Sequence, residues 1–174
     1  EKLSGEDSDR YQYIFPEFNF SKGIEIDPNY HGNFTFLSSG HQKNYDTNIY
    51  EAQINNDFNF NSYDFISDLG LVTDYSLLLK NFNTYGKNST TYDEKNDYEI
   101  FGTALIKSEF PLKKKLENST NYLKPIIQAR FSPTSGKDIS SEDFRMDYGA
   151  IFSSNRIGRR DMVEKGKSLT LGIE

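Results

Sequence analysis

The sequence predicts an all-β protein, an antiparallel up-and-down meander of about eight strands that forms a segment of a large transmembrane β-barrel. Apolar and polar residues alternate with a period of two along most of the chain, and no segment has a convincing helical period. Fourteen Phe and twelve Tyr supply strand-forming aromatics, although hydrophobic residues make up only 35% of the 174 residues. Short and long connections alternate between the runs, as in a meander with tight turns at one rim.

Each predicted strand follows from its alternation. From Tyr50 to Phe60 every even position except Asn56 is apolar and every odd position is polar, which gives a strand with two unlike faces. Later runs repeat this pattern, whereas the runs at 11–21, 33–39 and 144–152 are weaker. The predicted strands cover residues 11–21, 33–39, 50–60, 69–80, 98–112, 123–131, 144–152 and 168–174.

The connections predict the order of the strands and the extent of the domain. Compact turns are expected at 27–29, at 61–64 and from residue 113, and longer loops at 40–47, 83–97 and 132–143. The last run, 168–174, needs a neighbouring strand beyond the final residue. Residues 1–174 are therefore expected to be part of one barrel domain that is truncated at both ends.

One-sided strands have two physical explanations. In a soluble secreted β-sandwich, which would serve as a binding module, the apolar face meets a second sheet. In an outer-membrane barrel it meets lipid, and the polar face lines a hydrated lumen. Three features favour the barrel: runs of about 10 residues or more, Tyr and Phe near strand ends, and many charged residues on the polar side.

Composition narrows the classes of function. A net charge of -6 makes nucleic acid an unfavourable partner, and the absence of cysteine excludes disulfides and thiolate metal sites. No run approaches the roughly 18 apolar residues of a transmembrane helix. His31 and His41 are interpreted as solvated loop residues, and no nucleophile, P-loop or metal-ligand motif is present. The sequence therefore predicts no catalytic residues, no cofactor and no metal.

The two faces of the strands are assigned by the alternation. The polar residues predicted to face the lumen are Glu51, Gln53, Asp74, Ser76, Glu99, Thr103, Lys107, Gln128 and Arg130. The apolar residues predicted to contact hydrocarbon are Leu69, Leu71, Leu77, Leu79, Ile100, Ile106, Ile127, Leu169 and Leu171. A basic cluster near the end either binds phosphate or forms a solvated turn; it consists of Arg156, Arg159, Arg160, Lys165 and Lys167.

Several motifs near the end of the chain resemble a known family. They read S-E-D at 141–143, I-F-S-S-N-R-I at 151–157, D-M-V-E-K-G at 161–166 and L-T-L-G at 169–172. They resemble the barrel domain of the LptD (OstA) family, in the form typical of its alphaproteobacterial members. Further strands of the family resemble three other stretches of this sequence: residues 104–112, residues 123–128 and Phe15-Pro16-Glu17. Arg159-Arg160, Met162 and Lys124 depart from the family pattern.

The resemblance implies a function and partners. The family's members assemble lipopolysaccharide in the Gram-negative outer membrane, so the resemblance implies an integral outer-membrane barrel that delivers lipopolysaccharide to the outer leaflet. It implies a plug lipoprotein similar to LptE and a periplasmic bridge similar to LptA, both bound by the full-length protein. The family-motif residues are Asn155, Arg156, Asp161, Glu164 and Gly166. The alternatives are another outer-membrane barrel, such as a porin or a TonB-dependent receptor, and the soluble sandwich.

Overall fold

The computed structural model describes residues 12–45, 48–134, 148–159 and 162–174, and these are folded almost entirely as strands. The strands are β1 (Gln12–Ile24), β2 (Gly32–Tyr45), β3 (Tyr50–Ser62), β4 (Phe65–Ile66), β5 (Val72–Lys87), β6 (Asp97–Glu109), β7 (Leu112–Lys115), β8 (Thr120–Leu123), β9 (Pro125–Ser132) and β10 (Gly166–Ile173). Two single 3-10 turns lie at Pro28–Tyr30 and Tyr148–Ala150. Within the described ranges no helix has the length and apolar character needed to cross a membrane.

The strands follow one another in the sheet in the order of the chain. The main sheet has the order β1-β2-β3-β5-β6-β9-β10, with the short β4 paired to β5, while β7 and β8 form a separate hairpin. The recorded pairings are antiparallel. The predicted fold class, an all-β antiparallel meander, is confirmed. In its described part the sheet is open at β1 and β10, which is consistent with a segment of a barrel wall.

The structure corrects several predicted boundaries. The loops predicted at 40–47 and 83–97 are shorter, because β2 continues to Tyr45 and β5 to Lys87. Lys113 and its two successors, predicted as a turn, lie in β7. The strand predicted at 144–152 is wrong in its described part, where Tyr148–Ala150 is a 3-10 turn and 151–159 is irregular.

Leu69 and Leu71 were predicted in a strand but precede it. The N–H of Gly70 donates to the carbonyl of Ser67, and Gly70 has a φ of 82°, so the chain turns there before β5 begins at Val72. A positive φ of this kind is readily adopted by glycine. Both leucines are exposed, but in the turn and just after it.

The chain divides into two compact units. The described part of the first comprises residues 12–23, 35–45, 48–58 and 80–100, and that of the second 24–34, 59–79, 101–134, 148–159 and 162–174. In the first unit, rings of Phe20, Phe36 and Phe58 form a cross-strand row with centroid separations of 6.1 and 4.7 Å. In the second, Tyr75 packs on Phe60 and Phe65. Such rows stabilise neighbouring strands.

The interior of each unit lies on the polar side of its strands. In β9 the buried residues Ile126, Gln128, Arg130 and Ser132 alternate with the exposed Ile127, Ala129 and Phe131. In the second unit Leu77, Ile106 and Leu171 are 49%, 49% and 71% exposed. In a sandwich these three would meet between two sheets. Here they lie on an uncovered apolar face.

The apolar face of the first unit also contains a row of amides. The Asn56 amide donates to Asn81 Oδ1 (3.2 Å) and accepts from Ser38 Oγ (2.7 Å), and Asn83 donates to Asn81 Oδ1 (2.7 Å). An amide in an apolar environment without a partner costs several kcal/mol, roughly 4–8 in alkane-like surroundings. Because these side chains bond to one another, the face tolerates them.

Candidate functional site

The nine residues predicted to face a lumen lie on the polar face of the strands, the face on which each unit has its interior. Four of them are buried: Glu51, Thr103, Gln128 and Arg130. The other five are half-buried: Gln53, Asp74, Ser76, Glu99 and Lys107. The assignment of this face to a lumen stays a prediction.

In the first unit the polar face is organised by Lys80. Its ammonium lies 2.7 and 2.8 Å from the two carboxylate oxygens of Asp57 and donates to Asn55 Oδ1 at 3.2 Å. The side chain of Lys80 is 4% exposed and that of Asp57 is 17% exposed. The alternation along β5 puts Lys80 on the same side as Asp74 and Ser76, but the sequence does not identify its partners, because the three residues lie on two different strands.

A loop of the first unit folds onto the same face. The connection between β5 and β6 places Ser89 Oγ 2.6 Å from Glu51 Oε1 and Tyr92 Oη 2.8 Å from Gln53 Oε1. The ammonium of Lys43 approaches the other Glu51 oxygen at 3.9 Å. Loop residues therefore cover the acidic end of β3 and supply hydrogen-bond donors to it.

The second unit carries a row of alternating charges. Lys107 Nζ lies 3.1 Å from Asp74 Oδ2 and 3.6 Å from Glu109 Oε2. Lys124, between β8 and β9, pairs with Glu109 at 3.9 Å and with Glu174, whose hydrogen bond raises the pKa of Lys124. Each charge has a neighbour of opposite sign, so this part of the face offers polar groups with little net charge.

Arg130 holds the described part of the connection between β9 and β10 against the polar face of the second unit. Its Nε donates to the carbonyl of Ser154 (2.9 Å) and its Nη2 to the carbonyl of Glu164 (2.7 Å). Met162 and Val163 of the same connection are fully buried. Three further buried groups near Arg130 lack a protein partner within the described residues: Thr103 Oγ1, the Gln128 amide and Ser168 Oγ.

Three of the family-motif residues make hydrogen bonds or ion pairs within this connection: Asn155, Arg156 and Glu164. Arg156 and Glu164 make a two-point ion pair, with Nε 2.8 Å from Oε2. The Asn155 amide donates to the carbonyls of Arg159 and Met162. Gly166 has a φ of 124°, which L residues rarely adopt. Asp161 lies outside the described residues.

The basic cluster is not one surface. Arg156 is largely buried in its ion pair, whereas Lys165 and Lys167 are exposed. Arg159 is half-buried, and Arg160 lies outside the described residues. The interpretation of all five as a single solvated turn is therefore wrong for Arg156.

The chemistry of the polar face is that of hydrogen bonding and charge pairing. No group of acidic or histidine side chains in the described part is arranged to hold a metal ion. His31 is exposed with a φ of 47°, and His41 is half-buried in β2. The face can contact a hydrated, polar solute through many weak sites.

We predict that the Lys80–Asp57 pair is strongly coupled. Asp57→Ala leaves a buried ammonium without its counter-charge and is expected to lower the free energy of unfolding by about 3 kcal/mol. Lys80→Met combined with Asp57→Leu is expected to recover most of that loss. Denaturant unfolding of the full-length protein, refolded in detergent, measures both. Asp93→Ala is the matched control, since Asp93 and Lys95 form an exposed pair; a loss equal to that of Asp57→Ala contradicts the prediction.

Comparison with known proteins gives one match. A family model described as LptD, LPS transport system D, matches residues 6–174. No curated protein and no solved structure matches the chain. The match covers nearly the whole sequence, including every strand of both units.

Proposed function

This chain belongs to the LptD family, and we propose that residues 1–174 form part of the wall of one outer-membrane barrel through which lipopolysaccharide reaches the outer leaflet. The family acts in lipopolysaccharide transport and assembly at the outer membrane. In the proposed arrangement the polar face of the strands borders a hydrated passage, and the apolar face contacts hydrocarbon. The protein positions and conducts a lipid rather than transforming it.

The observation that carries the proposal is the inverted burial of the strands. Polar and charged side chains such as Gln128 and Arg130 are buried while Leu169 and Leu171 on the neighbouring strand are exposed. In water, each exposed leucine forgoes about 1.5–3 kcal/mol of burial free energy. An apolar medium against this face removes that cost, and a lipid bilayer supplies one.

Strand length supports the same environment. β1, β2, β3, β5 and β6 contain 13 to 16 residues. A tilted strand needs about 9–11 residues to cross the hydrocarbon core of a bilayer. These five strands are therefore long enough to span it and to extend into both interfaces.

The paired charges of the polar face suit passage of a charged glycan. A wall with unpaired cations would retain the phosphates of lipopolysaccharide, whereas Lys80 and Lys107 are already neutralised by Asp57 and Asp74. Conduction requires many weak contacts rather than one strong site. We propose that the half-buried Asp74, Ser76 and Lys107 provide such contacts, that the buried Thr103, Gln128 and Arg130 stabilise the wall behind them, and that the plug and bridge partners of the family act through the full-length protein.

Photo-crosslinking of the full-length protein in cells tests the proposal. A photoreactive residue replaces Ser76 on the polar face or Leu79 on the apolar face of β5, and lipopolysaccharide is pulse-labelled and chased. At position 76 we expect labelled lipopolysaccharide adducts that decay during the chase, because the contact is transient. At position 79 we expect lipid adducts that persist. Absence of a lipopolysaccharide adduct at 76, or an adduct there that does not decay, contradicts the proposal.

A further inference from the structure

The apolar face of the second unit has a groove of about 610 Å³ between β5, β6, β9 and β10. Ala104 lies opposite Phe131 in the register and Ala129 lies opposite Ile106, so the two alanines are diagonal neighbours on adjacent strands. Diagonal neighbours of this kind are about 7–8 Å apart, close enough to form one continuous floor. The larger side chains around them form the walls: Tyr75, Leu77, Ile106, Phe131 and Leu169.

One cation lies at an end of this groove. Lys167 faces Phe131 across the β9–β10 pairing, and its ammonium is 5.6 Å from the centre of that ring. Within the described residues no carboxylate pairs with Lys167. A narrow apolar floor that ends at an unpaired ammonium is complementary to an acyl chain that ends at a phosphate.

The position of Lys167 in the chain indicates which leaflet the groove faces. It is the second residue of β10, and residues 133–165 separate β10 from β9, more than separate any other two consecutive strands of the described part. In outer-membrane barrels the longer loops are extracellular and the short turns are periplasmic. Lys167 therefore lies toward the outer leaflet.

We propose that this groove is a binding site for a phosphorylated, acylated glycolipid of the outer leaflet, with one acyl chain over Ala104 and Ala129 and a phosphate at Lys167. The proposal rests on the proposed function, because it requires the apolar face to be in the membrane. It adds a resting site on the outside of the wall, distinct from the passage along the polar face. Such a site holds a delivered lipid beside the protein.

Native mass spectrometry of the full-length protein, extracted from membranes in mild detergent, measures the fraction that retains a glycolipid. Ala129→Leu fills the floor, and Lys167→Gln removes the cation. Each is expected to lower retention of the glycolipid about tenfold. Lys167→Gln loses the contact between the ammonium and the phosphate, and Ala129→Leu loses the contact between the acyl chain and the floor. The wild-type protein is expected to retain a lipid whose mass identifies it as a phosphorylated glycolipid.

Two controls match these changes. Gly102→Leu adds bulk on the same face of β6, at a position where an added Cβ would have no atom within 4 Å, and Lys165→Gln removes an exposed lysine outside β10. Both are expected to retain the glycolipid as the wild-type protein does. Retention of a phospholipid instead, retention of no lipid, or equal retention by all four variants overturns the site. Decay of the adduct at position 76 is measured separately, so failure of this site and failure of the transport function give different results.

Discussion

Leu77→Arg is expected to block insertion of the full-length protein into the outer membrane, whereas Ser76→Arg is expected to leave it intact. The two positions are adjacent in β5 and lie on opposite faces, with Leu77 49% exposed on the apolar face. An arginine that faces lipid near the centre of the bilayer costs about 2–4 kcal/mol. An arginine at position 76 instead joins a polar face that already carries Asp74 and Lys107.

The amount of folded protein in isolated outer membranes measures this difference, with the heat-modifiable mobility of the barrel as the sign of folding. Leu77→Ala is the control for lost bulk, and it is expected to insert at near wild-type levels. Equal levels for Leu77→Arg and Ser76→Arg contradict the assignment of the two faces.

The alternation of the strongest strands was sufficient to predict the fold class and the two faces. In three strands apolar and polar residues alternate with a period of two, because one face of each strand is apolar along most of the strand. These strands contain residues 50–60, 98–109 and 125–131. The prediction weakened where the apolar face itself carries polar groups. Asn81 and Asn83 lie on that face and are bonded to one another, so the last part of β5 has no alternation to detect. The predicted strand therefore ends at residue 80, whereas β5 continues to Lys87.

The connection between β9 and β10 was not predictable from local pattern. Ile151 and Phe152 were interpreted as part of a strand, but the ring of Phe152 packs against the backbone of Gly172, where a Cβ would lie 2.6 Å from Cζ. The apolar residues of this connection pack against a face of the sheet, but they do not pair with a strand through backbone hydrogen bonds. The family motif indicated that Arg156 and Glu164 matter, but the spacing alone did not show that they pair with each other.

Arg130→Met is expected to release this connection from the polar face. The substitution removes the hydrogen bonds from the guanidinium to the carbonyls of Ser154 and Glu164. Hydrogen bonds from a charged group contribute about 1.5–3 kcal/mol each, so the local opening free energy is expected to fall by about 3 kcal/mol. Amide hydrogen exchange within 151–159 is then expected to accelerate about a hundredfold.

Hydrogen exchange of the full-length protein, followed by mass spectrometry, measures that change, with 104–109 of β6 as an internal reference. Arg130→Lys keeps the charge but cannot reach both carbonyls, so intermediate exchange is expected. Lys124→Met is the matched control, because Lys124 pairs with Glu109 and Glu174 and not with this connection. Unchanged exchange in Arg130→Met shows that the buried apolar residues alone hold the connection.

The central claim is that these strands turn their apolar side to lipid and their polar side to water. Nitroxide labels on single cysteines at positions 76, 77, 79 and 127 of the full-length protein in bilayers test it most directly, since this segment has no native cysteine. We expect high accessibility to molecular oxygen and low accessibility to a water-soluble nickel chelate at 77, 79 and 127, and the reverse preference at 76. Equal access of the nickel chelate to 76 and 77, or exclusion of both reagents from 77, 79 and 127, contradicts the claim.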